Sequence, residues 1–183
     1  MFAAIAAHPS PIVRYWCSID DTPMGARSLA YADAFAGMGL VVRIIATRMA
    51  ALQERTQDGS PWSRHRAAFL TPIVGSFINV VCGEPDDWKR LYTVGVKNVL
   101  IAGEPPQGDA IARGFQYKVD DRKNETLRLG TDELARAVAL KYQVIIVPTE
   151  EISQRWIELG ATTVVVPTDI GAHMLELRQA LFA

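Results

Sequence analysis

Apolar and polar positions along this chain switch between two periods, and the switching predicts the architecture. Ile12 to Ile19 (IVRYWCSI) is a β-branched and aromatic run, followed by a turn holding Pro23 and Gly25. Ala26, Leu29, Ala30, Ala34 and Met38 then recur at spacings of three and four, which reads as one apolar helix face. Gly37 and Gly39 supply the stop, and LVVRIIAT at 40–47 is a second β-branched run. Strand, turn, helix and strand form a βαβ unit, parallel and right-handed in nearly all cases.

The same reading continues along the chain. Arg48 to Arg55 is helix-forming, TQDGS breaks it, and Ser60-Pro61 opens a helix that stops before Pro72. FINVVC at 77–82 is a third strand, Asp86 to Val94 a short helix, and NVLIA at 98–102 a fourth strand. Near-continuous apolar runs of this kind mark a parallel sheet covered on both faces. Between Gly103 and Thr131 the pattern weakens into a long excursion, with a short extra strand expected at Phe115 to Val119. Order returns with a helix capped by Thr131 that places Leu134, Ala135, Val138 and Ala139 on one face. QVIIVPT, a helix from Glu151 to Leu159, TTVVVPT and a helix from Gly171 to Phe182 complete the chain. The expected fold is α/β: one domain over 1–183, with a doubly wound, Rossmann-like and mostly parallel sheet of about six strands. Helices cover both faces, and the default strand order is 3-2-1-4-5-6.

Composition narrows the functional classes. Net charge is −1 with 19 basic against 20 acidic side chains, and no basic stripe is present, so nucleic acid is not an expected partner. Arg48, Arg55, Arg64, His65 and Arg66 form the most basic segment, which reads as a solvated helix face. No apolar run approaches a membrane span, and Met1 to Ser10 lacks the basic start of a signal peptide. Cys17 and Cys82 lie in apolar runs, as in a reduced, cytoplasmic protein. They fall on strands one and three, which the default order separates, so no paired redox site is expected. His8, His65 and His173 are scattered, no cysteine pair has metal spacing, and Gly37 and Gly39 end a helix instead of opening one. Neither a metal nor a cofactor is expected.

What remains is a row of acids at strand ends: Asp20, Asp21, Glu84, Glu104, Glu150 and Asp169. Thr149 and Thr168 can cap the helices that follow them, with Glu150 and Asp169 at the positive ends of the dipoles. Open α/β sheets bind ligands beyond the carboxyl ends of strands where the order reverses, and here that selects Asp20–Gly25 and Gly103–Gln107. The candidate ligand-binding residues are Asp21, Met24, Gly25, Arg27, Ser28 and Glu104, with Glu104 also the candidate general base. Gly25 fits either a close backbone approach to a ligand or a turn that needs glycine.

Two family resemblances bear on function. Thr22 to Thr47, with Gly25 and Arg27-Ser28 opening a helix and a GxxV turn before strand two, resembles the start of GT-B glycosyltransferases. Tyr142 to Asp169 is similar to the end of their amino-terminal domain, where a strand ends in Pro-Thr and a helix in Leu-Gly. GEPP at 103–106 resembles the acid that follows their fourth strand. The resemblance implies an acceptor-side half, with a nucleotide-sugar or sugar acceptor as ligand. The chain ends where that family's second domain would begin, so the donor side would come from a protein partner or by homo-oligomerisation. SIDD and the carboxyl-terminal strand and helix also resemble response-regulator receiver domains. Strand three lacks their phosphorylated aspartate, and Val166 stands where their lysine is expected. That resemblance implies a non-catalytic protein–protein interaction module.

Overall fold

The computed structural model describes residues 12–47, 56–72, 77–83, 85–88, 97–106 and 131–183. Met1 to Pro11, the 48–55 segment, Glu84 and Gln107, the expected strand at Phe115–Val119, and the side chains of Thr131 and Leu134 lie outside the described residues.

Six strands form one sheet, and every pair is parallel. They are β1 (Ile12–Cys17), β2 (Val41–Ala46), β3 (Phe77–Cys82), β4 (Lys97–Ile101), β5 (Val144–Val147) and β6 (Thr163–Val165). Their spatial order is β2-β1-β3-β4-β5-β6, which corrects the expected 3-2-1-4-5-6. The physical reason lies in β2 and β3. Val41–Ala46 alternates between half-buried and buried positions, as suits an edge strand. Ile78, Asn79, Val80, Val81 and Cys82 are all buried, so β3 needs a neighbour on each side and cover on each face. It pairs with β1 along its whole length, from Ile12↔Phe77 to Cys17↔Cys82. The order therefore reverses between β1 and β3, not between β1 and β4.

Side chains alternate across the sheet and build two cores. Val13, Tyr15, Cys17, Ile44, Ile78, Val80, Cys82, Val99, Ile101 and Ile146 point to one face. α1 (Pro23–Gly37), α2 (Arg66–Leu70) and α6 (Met174–Phe182) cover that face with Tyr31, Phe35, Phe69, Leu177 and Leu181. Tyr15 meets Phe35 edge-on, with ring centroids 5.2 Å apart. Val81, Leu100, Ala102, Ile145 and Val147 point the other way. There they meet Trp88 of α3 (Pro85–Trp88), Val138 and Ala139 of α4 (Thr131–Lys141) and Trp156 of α5 (Glu150–Glu158). The expected fold class holds: a doubly wound, Rossmann-like parallel sheet with helices on both faces.

Two caps were expected at strand ends, and one forms. Thr149 accepts from the Ile152 N–H and starts α5. After Asp169 the chain turns through a 3-10 segment, Ile170–His173, with no side-chain cap, before α6 begins.

Candidate functional site

The loop leaving β1 is organised by hydrogen bonds within itself. Asp20 accepts from the Ser18 hydroxyl at 2.7 Å, from the Thr22 N–H at 3.1 Å and from the Thr22 hydroxyl. Thr22 in turn caps α1, its hydroxyl oxygen accepting from the Gly25 N–H at 3.2 Å, with Pro23 in the first turn where its missing N–H costs nothing. This chain of contacts folds the loop back over the helix. An added Cβ on Gly25 would lie 1.9 Å from the Asp20 carbonyl oxygen. Glycine at 25 is therefore needed for the loop to pack on its own helix.

A second loop approaches from β3. Gly83 leaves room for Asp87, whose carboxylate oxygen would lie 2.4 Å from a Cβ at that position. The Trp88 indole N–H donates to the Gly83 carbonyl at 3.0 Å, and the Tyr142 hydroxyl donates to the Trp88 carbonyl at 2.9 Å. These bonds hold α3 over the end of β3 and bury Asp87.

Between the two loops lies an open crevice of about 490 Å³, lined by Ser18, Asp20, Thr22, Pro23, Met24, Arg27 and Asp87. It sits at the carboxyl ends of β1 and β3, where the strand order reverses. Arg27 crosses it, donating to the Ala102 carbonyl at the end of β4 at 3.0 Å. A smaller cavity of about 350 Å³, lined by Lys97, Gln143 and Thr162 among others, lies at the amino ends of the strands. Ligands of open α/β sheets bind at the carboxyl ends, which favours the first.

The expected site residues separate into three groups. Met24 and Arg27 line the crevice. Gly25 and Ser28 are buried behind it; the Ser28 hydroxyl donates to Cys82 Sγ at 3.6 Å and its carbonyl accepts from the Tyr15 hydroxyl at 3.0 Å. Asp21 and Glu104 are exposed and do not line the crevice. Glu104 accepts from Arg155 of α5 at 2.9 Å, and the same guanidinium reaches Glu151 at 2.8 Å. The Gly103 carbonyl accepts from the Trp156 indole at 2.8 Å, so the 103–106 turn anchors α5. Asp20, Thr22 and Pro23 line the crevice from within the selected loop although not named as ligand-binding, and Ser18 and Asp87 line it from outside both selected loops. With β3 placed beside β1, the turn after Cys82 would have pointed to Asp87.

The electrostatics around the crevice follow burial. Burial pushes the Cys17 thiol well up, and the neighbouring Cys82 adds to that. Burial also raises the Cys82 thiol, opposed by the positive charge of Arg27 and the Ser28 hydrogen bond. The Tyr31 phenol is raised to about 12, mainly by burial. The basic residues near α2 are internally paired: Arg64 and His65 hold Asp33 of α1, and Arg66 reaches Asp58 and the Thr56 carbonyl. Among the described residues no three His, Cys, Asp or Glu side chains come together as a metal cluster. No helix among them is long and apolar enough to cross a membrane. No family model matches the chain, and no curated protein matches it.

Proposed function

We propose that the chain is a small-molecule-binding domain that takes a hydroxyl-rich, sugar-type ligand in the β1/β3 crevice. In this reading it is the acceptor-side half of a glycosyl transfer from a nucleotide-sugar, with the donor side supplied by a partner chain or a second copy. The observation that carries the reading is the lining: one guanidinium, two carboxylates and two hydroxyls around an open space at the switch point. Hydroxyl donors of a sugar pair with Asp87 and with the Ser18 oxygen, whose own proton goes to Asp20, and a phosphate or carboxylate group pairs with Arg27. Asp20 holds the shape of the loop through Ser18 and Thr22. Glu104 pairs with Arg155 and is not among the residues that line the crevice. The isolated chain is then a binding half and inactive alone, and the two buried free thiols fit a cytoplasmic setting.

A screen of nucleotide-sugars, nucleotides and free sugars by thermal shift, with and without divalent metal, tests this. A compound that raises the midpoint of the wild type but not of Arg27→Met supports the reading. A screen with no shift, or equal shifts in both proteins, counts against it.

A second reading, a non-catalytic interaction module, draws on exposed Leu140 of α4 and Ile157 of α5, on two helices of the same sheet face. Light scattering separates the two readings. Association that Leu140→Ser abolishes, with no hit in the ligand screen, favours the module.

A further inference from the structure

Cys17 and Cys82 are register partners on adjacent parallel strands, so both side chains project to the same face. They are completely buried, free, and belong to the core beneath α1. Met24, from the first turn of that helix, brings its sulfur to 3.9 Å from Cys82 Sγ. Met24 also lines the crevice, so this sulfur cluster meets solvent through a thioether. Three elements contribute, which is why no metal spacing shows in the sequence.

We infer that Cys17, Cys82 and Met24 form a three-sulfur site for a soft monovalent cation, copper(I), buried beneath the crevice, which Met24 alone of the three lines. Neighbouring strands lie roughly 4.8 Å apart, near enough for two cysteines projecting to one face to share an ion. With metal–sulfur bonds of about 2.3 Å, a trigonal ion holds its sulfurs roughly 4 Å apart, which the Met24–Cys82 separation of 3.9 Å matches. Two thiolates and a thioether are a donor set that selects copper(I) over oxygen-seeking ions. Two thiolates around one monovalent ion leave a single negative charge, which the nearby Arg27 guanidinium offsets. The Ser28 hydroxyl, donating to Cys82 Sγ, orients that ligand from behind. On binding, each thiol gives up its proton to solvent as its sulfur bonds the ion. No electron changes hands.

The test uses the reduced full chain under anaerobic conditions, titrated with copper(I) held by the chromophoric chelator bicinchoninate. The protein should withdraw about one copper per chain, and its melting midpoint should rise as binding favours the folded state. Cys17→Ser and Cys82→Ser should abolish both effects. Met24→Leu, close in volume and safe for folding, should lower the affinity at least about tenfold. If the cysteine variants do not fold, Met24→Leu alone decides. Failure of the wild type to withdraw copper overturns the proposal. So does withdrawal without a rise in midpoint, or an unchanged affinity in Met24→Leu.

Discussion

At Gly25 the chain passes so close to itself that the residue type can be argued from one distance, the 1.9 Å between a built Cβ and the Asp20 carbonyl oxygen. Relief requires the β1–α1 loop to move, so Gly25→Ala should destabilise the protein by about 1–3 kcal/mol in chemical denaturation. Gly103 is the control: nothing lies within 4 Å of its built Cβ and its φ is not positive, so Gly103→Ala should stay within about 0.5 kcal/mol. Glu104→Gln removes one partner of an exposed pair, and calorimetry should show a change of at most about 1 kcal/mol with no loss of crevice binding. That glycine and that acid could both be picked out from the sequence. Their roles could not, because residue type does not reveal which backbone approaches Gly25 or which cation, Arg155, is 51 positions away from Glu104.

Elements were legible wherever the apolar period was long, and less so at their ends and faces. The apolar positions of α1 were expected at Ala26, Leu29, Ala30, Ala34 and Met38. Ala34 is buried and Leu29, Ala30 and Met38 pack partly buried against the core, while Ala26 is exposed; the fully buried positions are Gly25, Ser28, Tyr31, Ala32, Ala34 and Phe35. Small alanines on all sides of the helix blurred the period, and the aromatic rings settled it. Caps separate by geometry: Thr149→Ala should cost about 1 kcal/mol through the lost bond to the Ile152 N–H, while Thr168→Ala, at a turn without a side-chain cap, should cost far less. A pH effect belongs to the contact between α1 and the 56–72 segment. Burial alone would raise the Asp33 carboxyl, but hydrogen bonds from Arg64 and His65 outweigh it and hold the group below its ordinary value. A lowered folded value stabilises above the unfolded value and is lost as pH falls through the folded one. Asp33→Asn should therefore lower the melting midpoint at neutral pH, and the two proteins should converge below roughly pH 4.

For the whole molecule, parallel strands and helices on both faces were readable because β1, β3, β4 and β5 are near-continuous apolar runs. Strand order was not, because both common doubly wound orders use the same alternation of elements. The deciding signal was the half-buried alternation of β2 against an uninterrupted burial along β3, and it moves the switch point from β1/β4 to β1/β3. That shift replaces Glu104 with Asp87 and Ser18 at the crevice and brings the two cysteines together. The central claim, a ligand held between the β1 and β3 loops, is tested most directly by backbone amide chemical-shift mapping with a hit from the nucleotide-sugar screen. The account predicts shifts concentrated at Ser18, Thr22, Met24, Arg27 and Asp87, and lost in Arg27→Met. Shifts gathered instead around Glu104 and Arg155, or around Lys97, Gln143 and Thr162 at the opposite end of the sheet, would contradict it.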